Sequence, residues 1–227
     1  MKTTDFNSYK TRYRNIIQQV LVQTEIGRLD EAAFPAYSHR NSIINWLFWQ
    51  RLRKVMEHVQ CPTPYEHVLD FGCGSGVMLP FLSQISSQVT AMDIDLLPLE
   101  RVRTYIPLAS NVDVKDATKN KISDLPENSF DLIIALDVLE HVKDLQRTLN
   151  ELLALLKQGG QLIVSGPTEN ILYRIGRIMA GPEYSGAYHE RGIAEIKKEL
   201  IQLARIEHIA TLYWPVPLFE IFTVKKY

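Results

Sequence analysis

The chain has 227 residues, of which 46% are hydrophobic, and its 25 basic and 26 acidic side chains leave a net charge of −1. This size and composition fit one large globular domain, and the balanced charge argues against a dedicated nucleic-acid-binding protein. The chain has no apolar run of the ~18–20 residues that a membrane span needs, no apolar signal segment, and only two cysteines, so we expect a cytoplasmic protein without stable membrane insertion.

The first sixty residues are predicted to be helical and to form an amino-terminal helical cap. Apolar side chains recur at spacings of three and four over residues 13–22 and 42–59, and Pro62 and Pro64 then end the pattern. Tryptophans stand beside basic residues near position 50, which also allows a helix on a membrane surface. The interpretation that we favour is helical core packing with a solvated basic edge.

From residue 61 onward the pattern predicts the main domain, 61–227, with one structural domain overall. Short apolar runs alternate with helical periodicity, which favours a largely parallel sheet with right-handed crossovers. The last two strands are joined by only a few residues, so we expect them to be antiparallel. The predicted strands are 67–71, 88–92, 112–115, 130–136, 161–165, 205–213 and 218–224, and the helices are 76–85, 96–106, 142–157 (closed by Gly159-Gly160) and 193–204.

A glycine-rich turn follows the first predicted strand, in the segment Val68-Leu-Asp-Phe-Gly-Cys-Gly-Ser-Gly76. Glycines let a backbone turn sharply and approach a ligand closely, and the next helix start offers amide groups. Val77 stands where the dinucleotide fingerprint has its third glycine, and no Walker sequence is present. Asp93 follows Asp70 by 23 residues at the end of the next strand, where a carboxylate can accept hydrogen bonds from ribose hydroxyls.

These residues resemble the class I S-adenosylmethionine-dependent methyltransferases, in their small-molecule group. The resemblance covers residues 65–166 and is carried by the glycine turn together with Met92-Asp-Ile94, Asp116-Ala117, residues 125–134, Asp137-Val-Leu-Glu-His141 and residues 155–164. It implies a Rossmann-like, doubly wound α/β fold, in which a seven-stranded, mainly parallel sheet has an antiparallel last strand.

The resemblance also implies which residues bind the cofactor, S-adenosyl-L-methionine. The glycine turn would line its methionine end, with Asp70 near the amino group, while Asp93 would hold the ribose hydroxyls. Ile94 would pack on the adenine, and Asp116 would accept a hydrogen bond from the adenine amino group. The full set is Asp70, Gly72, Cys73, Gly74, Gly76, Asp93, Ile94, Asp116, Ala117, Leu136 and Asp137, with no metal ligand.

Some of these assignments have alternatives. Asp93 and Asp116 can instead be solvated turn carboxylates, and Asp137 can face the acceptor rather than the methionine moiety. Lysines near Asp116 stand where similar proteins often keep an acidic residue, which leaves further adenine contacts open.

Methyl transfer needs a general base only when the acceptor must lose a proton. His141, in the loop after the strongest strand, and His189 are the catalytic candidates, because imidazole titrates near neutral pH. The alternatives are a helix-cap or packing histidine at 141 and a polar surface-loop residue at 189. Residues that could select the acceptor are Tyr184, Tyr188, Tyr13, Tyr37 and His39.

We therefore predict transfer of a methyl group to a small-molecule acceptor, with a hydroxyl oxygen favoured over carbon or nitrogen. The alternatives are a cofactor-binding subunit without turnover and an NAD-linked oxidoreductase on the same fold. The sequence does not specify the acceptor or the oligomeric state.

Overall fold

The computed structural model describes residues 3–23, 37, 42–168, 192–213 and 217–226. Its centre is a seven-stranded sheet in the order β3-β2-β1-β4-β5-β7-β6. Only β7 runs antiparallel to its neighbours, β5 and β6. The predicted Rossmann-like sheet with an antiparallel last strand is thereby confirmed. The strands are β1 (Tyr65–Phe71), β2 (Ser86–Asp93), β3 (Val112–Asp116), β4 (Phe130–Leu136), β5 (Leu156–Pro167), β6 (Arg205–Leu212) and β7 (Phe219–Lys225).

Helices cover both faces of this sheet. Two short 3₁₀ helices, Ile122–Asp124 and Leu139–His141, flank β4. The α-helices are α1 (Thr3–Gln23), α2 (Ser42–Val59), α3 (Leu79–Ile85), α4 (Leu97–Val102), α5 (Leu145–Leu155) and α6 (Ile193–Leu203). None of the helices in these ranges is long and apolar enough to cross a membrane.

The core lies on both sides of the sheet because successive side chains of a strand point to opposite faces. In β1, Val68 belongs to a cluster that also contains side chains of α1 and α2, whereas Leu69 belongs to a cluster with side chains of α5 and α6. Both residues are fully buried. A strand covered on both faces has a nearly continuous apolar sequence, which is why β4, apolar except at Asp131, was predictable from its sequence.

The end of α5 differs from the prediction. The helix ends at Leu155, and Leu156 already pairs with Phe130 as the first residue of β5. The amides of Asn128 and Ser129 donate to the carbonyls of Ala154 and Leu155, at 3.0 and 2.9 Å. Since the loop before β4 already satisfies these carbonyls, the helix needs no glycine cap. Gly159, with φ of +79°, is instead a turn position within β5.

The cap helices pack as core elements. Trp49 of α2 is fully buried, and its ring lies edge-on to those of Phe6, Tyr9 and Tyr13, with centroids 6.1–6.3 Å apart. This packing agrees with the prediction that the helices of the cap contribute to the hydrophobic core. The solvated basic edge was wrong for Arg51, which is 1% exposed.

Candidate functional site

The glycine turn begins where β1 ends and adopts a backbone that favours glycine. Gly72, Gly74 and Gly76 have φ values of +76°, +51° and +77°. A Cβ atom at Gly72 would lie 2.4 Å from Cγ2 of Val138, so a side chain there would also collide with the loop after β4. The amide of Gly72 donates to the Met92 carbonyl at 2.8 Å, which fixes the turn against the end of β2.

Asp93, the last residue of β2, is oriented by main-chain amides. Its Oδ2 accepts from the Gly74 amide at 2.7 Å, and its Oδ1 accepts from the Asp95 amide at 3.1 Å. The Ile94 amide also donates to this carboxylate, so one of its four acceptor positions remains for a further donor. Burial raises the pKa of this carboxyl. Asp93 is therefore arranged to accept a hydrogen bond from a neighbouring hydroxyl.

Asp70 places a second carboxyl close to Asp93. It is 3% exposed, and burial, followed by the negative charge of Asp93, raises its pKa to about 7. Two acidic groups in a dehydrated position are stabilised in their ionised form by a cation. The Cys73 thiol beside them has a pKa raised by burial, so it stays protonated and is a poor nucleophile.

The end of β3 lies next to the end of β2. Asp116 is in register with Asp93, and the Ala117 amide donates to the Asp93 carbonyl at 2.8 Å. Oδ1 of Asp116 accepts from both the amide and the hydroxyl of Thr118, at 2.9 and 2.5 Å, while Oδ2 lies 2.9 Å from Lys119 Nζ. These hydrogen bonds and the Lys119 charge lower the pKa of Asp116 to about 2. Asp116 is thus an ionised turn carboxylate in which only Oδ2 retains an acceptor position.

Ile94 stands beside this pair of strand ends. Its side chain is 75% exposed, which is unusual for a large aliphatic residue. A planar apolar group bound beside Asp93 would cover it.

Asp137, which directly follows β4, has a left-handed backbone with φ of +51°. Its amide donates to the Ser165 carbonyl at 3.0 Å, and its carboxylate accepts from the Ser165 hydroxyl at 3.3 Å. The same carboxylate forms an ion pair with Arg51 of α2.

The sequence analysis did not identify Arg51 as the ion-pair partner of Asp137. Its guanidinium carbon lies 5.3 and 5.1 Å from the ring centres of Phe48 and Phe219, and the Tyr37 hydroxyl is 3.4 Å from Nη2. A signal was present in the sequence, because Arg51 follows Phe48 by three residues and precedes Val55 by four. That spacing places the arginine on the apolar face of the helix.

Of the two catalytic candidates, the structure describes only His141. His141 is an exposed residue at the end of the 3₁₀ helix after β4, and its amide donates to the Val138 carbonyl at 3.1 Å. His189, Tyr184, Tyr188 and His39 lie outside the described residues. Leu136 is half-buried at the end of β4. Among the residues described, no three His, Cys, Asp or Glu side chains are grouped as a metal site requires.

Tyr13 and Tyr37, which were candidates for acceptor selection, are buried within the cap. The Tyr13 hydroxyl donates to the main chain of the glycine turn at Ser75, and the Tyr37 carbonyl accepts from the Trp49 indole at 3.2 Å. Their polar atoms are thus engaged within the protein.

Comparison with known proteins agrees with this geometry. Residues 69–164 match the family model described as a methyltransferase domain. The chain is 28% identical over 149 residues to a ubiquinone biosynthesis O-methyltransferase of Stutzerimonas stutzeri, a match that covers 65% of this chain and 63% of that protein. It is 29% identical over 132 residues to the protein of the same name from Pseudomonas fluorescens, with 58% and 56% covered. The chain therefore spans less than two thirds of the length of these relatives.

Among solved structures, the N-methyltransferase NodS from Bradyrhizobium japonicum, in complex with S-adenosyl-L-homocysteine, superposes with a TM-score of 0.61 at 16% identity. The superposition covers 93% of this chain and 98% of that one. At this identity the likeness establishes the shared fold.

Proposed function

We propose that this chain is a class I methyltransferase that uses S-adenosyl-L-methionine, because residues 69–164 match the model of a methyltransferase domain. The methyl acceptor would be a small molecule, and the accepting atom a hydroxyl oxygen. The observation that carries this proposal is the position of Asp93. Its carboxylate is held by main-chain amides, including that of Gly74, at the carboxyl edge of the sheet, with an acceptor position left for a ribose hydroxyl.

The residues at this edge fit the chemistry of the cofactor. Gly72 leaves no room for a Cβ atom, and the positive φ of Gly74 keeps the backbone accessible to the methionine end. Asp93 would accept from a ribose hydroxyl, and the exposed Ile94 would pack on the adenine ring. Asp70 would be stabilised as a carboxylate by the ammonium group.

Other proposed contacts lie on the neighbouring strand ends. Oδ2 of Asp116 would accept from the adenine amino group next to Ala117. Leu136 and Asp137 would lie beside the methionine moiety, while Cys73 and Gly76 would complete the turn. Bound S-adenosylmethionine supplies an electrophilic methyl group on a positively charged sulfur.

The chain's contribution to the transfer is mainly positioning and exclusion of water. The cap, proposed as residues 1–60 on a main domain of 61–227, shares one hydrophobic cluster with the sheet, which supports a single structural unit. His141 and His189 are the proposed bases for an acceptor that must lose its proton.

The choice of oxygen rests on the names of the relatives, which are O-methyltransferases. A low-molecular-weight acceptor is further supported by the absence of a basic surplus for nucleic-acid binding. The cytoplasm remains the proposed compartment.

Titration calorimetry with S-adenosylmethionine and with S-adenosylhomocysteine tests the proposal. We expect both to bind, and Asp93→Ala to lower the affinity at least 10-fold, through loss of a charge-assisted hydrogen bond. Asp113→Ala is the matched control, because Asp113 lies near the amino end of β3, away from Asp93, and forms an ion pair with Lys115. No heat with either ligand would overturn the proposal, and enhanced NADH fluorescence on mixing would favour the oxidoreductase.

Turnover is tested separately, by following the transfer of a labelled methyl group to a panel of hydroxylated small molecules. Binding without transfer to any acceptor would favour a subunit that binds the cofactor but does not turn over.

A further inference from the structure

The helix after the glycine turn begins three residues later than its sequence predicts. The pattern predicted a helix from Gly76, yet α3 begins at Leu79. The amides of Leu79 and Phe81 donate to Gly76 and Met78, three residues back, at 3.1 and 3.0 Å. The residue between them is proline, which has no amide to donate to Gly76.

Two carbonyls that would accept main-chain hydrogen bonds in a regular helix therefore accept from side chains. In an α-helix, Ser75 and Val77 would accept from the amides of Leu79 and Phe81, four residues on. Instead, the Tyr13 hydroxyl donates to the Ser75 carbonyl at 2.8 Å, and the Tyr9 hydroxyl donates to the Val77 carbonyl. Both hydroxyls come from α1, more than sixty residues earlier in the chain.

The two tyrosines are built as a rigid pair of donors. They are four residues apart and therefore lie on one face of α1, with rings stacked at 6.1 Å between centroids and edge-on to Trp49. Tyr13 is 1% exposed. Burial raises the pKa of both phenols, so both keep the proton that they donate.

We propose that Tyr9 and Tyr13 are positioning residues of the cofactor site, acting through the main chain of the glycine turn. By holding the carbonyls of Ser75 and Val77, they fix the main chain between Gly74 and the start of α3. The turn then keeps the conformation in which the Gly74 amide points to Asp93. This inference rests on the proposed function for its consequence in binding, while its structural part can be tested without any ligand.

The test compares Tyr9→Phe, Tyr13→Phe and the double variant with Tyr65→Phe. Tyr65 is the matched control, because its hydroxyl also donates to a helix carbonyl, that of Val59, six residues earlier in the chain, at 3.0 Å. Tyr65 begins β1 and lies at the opposite end of this strand from the turn. Phenylalanine keeps the ring packing in every case and removes one donor.

The first measurement is the NMR spectrum of the backbone amide protons, recorded on the protein without ligand. A hydrogen bond to a carboxylate gives the Gly74 amide proton a downfield resonance, and we expect Tyr13→Phe and the double variant to move it upfield. We also expect faster exchange of the Leu79 and Phe81 amides with solvent. Tyr65→Phe should change neither. An unchanged Gly74 resonance in both Tyr13→Phe and the double variant would overturn the proposal.

The second measurement is affinity for S-adenosylhomocysteine. We expect a loss of 3- to 10-fold for Tyr13→Phe and more for the double variant, whereas Tyr65→Phe should bind as the wild type does. Lower thermal stability with unchanged affinity and unchanged Gly74 would mean that the tyrosines only anchor α1. If the double variant does not fold, the single variants decide the matter. Absence of binding by the wild-type protein would overturn the proposed function, and the spectrum would still decide the positioning role.

Discussion

Arg51 of the second cap helix forms an ion pair with Asp137, the residue that follows β4 at the carboxyl edge of the sheet. The guanidinium is almost completely buried between two phenylalanine rings, so little solvent is available to replace the carboxylate. This pair connects the cap to the strand end that we propose to adjoin the methionine moiety.

Replacing Arg51 with methionine should therefore destabilise the fold. Asp137 would lose the cation that neutralises it, and removal of one partner of a buried pair costs about 3 kcal/mol of unfolding free energy. Urea unfolding at pH 7 measures this change. Arg147→Met is the control, because Arg147 is 64% exposed and pairs with Glu151 on the surface of α5. We expect the control to change the free energy by less than about 1 kcal/mol. Equal effects of the two substitutions would contradict a special role for the Arg51–Asp137 pair.

Cofactor affinity should increase with pH through neutrality because of Asp70. Its pKa of about 7 in the free protein means that the carboxyl is partly protonated at pH 7. A bound ammonium group favours the carboxylate, so binding below this pKa must release a proton. We expect the dissociation constant of S-adenosylhomocysteine to rise by up to about 10-fold per pH unit below the pKa.

Calorimetry between pH 5.5 and 8.5 measures this dependence, and Asp70→Asn should flatten it. Any slope that remains belongs to Asp93, whose pKa is also raised by burial. An Asp70→Asn protein with the full wild-type slope would rule out Asp70 as the titrating group.

The same buried carboxyl should weaken the fold at alkaline pH. The folded-state pKa of about 7 lies above the ordinary value of 3.8, so the folded protein binds the proton more tightly than the unfolded chain does. The contribution of this group to stability is therefore complete below about pH 4 and is lost as the pH rises to 7. We expect Asp70→Asn to raise the unfolding free energy by about 2 kcal/mol at pH 8, with a smaller gain at pH 5. Urea unfolding without ligand at the two pH values measures this difference. If Asp70→Asn raised the unfolding free energy by the same amount at both, ionisation of Asp70 would not be the cause.

The elements that could be predicted from the sequence are those determined by neighbouring residues. The bounds of β4 and α2 agree with their patterns because a buried apolar run and a three-to-four spacing are local signals. The glycine turn and Asp93 could be identified for the same reason, since both lie at the ends of predicted strands.

The features that sequence patterns missed depend on distant contacts. The hydroxyls that bind the carbonyls of Ser75 and Val77 come from α1, and the early end of α5 depends on amides of the loop before β4. The partner of Asp137 lies 86 positions earlier in the chain, as their numbers show. No local pattern specifies pairings of this kind.

Gly72 should not tolerate alanine, for two separable reasons. Its φ of +76° is a conformation that L-residues rarely adopt, and a Cβ atom would lie 2.4 Å from Val138. We expect Gly72→Ala to lower the unfolding free energy by about 3 kcal/mol, as the sum of backbone strain and steric overlap. Calorimetry should also detect weaker binding of S-adenosylhomocysteine, because relief of the overlap displaces the turn.

Gly159→Ala separates these two causes. Gly159 has nearly the same φ, +79°, but an added Cβ atom meets nothing within 4 Å. This control therefore measures the backbone strain alone, about 1 kcal/mol, and should leave ligand binding unchanged. Val138→Gly removes the three atoms nearest to a Cβ atom at Gly72, which are Cγ2, Cβ and Cγ1 of Val138 at 2.4, 2.5 and 3.1 Å. Combined with Gly72→Ala, it should restore part of the lost stability, since the overlap disappears while the strain remains. The double variant could instead lose as much unfolding free energy as the sum of the losses in the two single variants. In that case Val138 would not be the obstacle, and the backbone strain alone would explain why glycine is required.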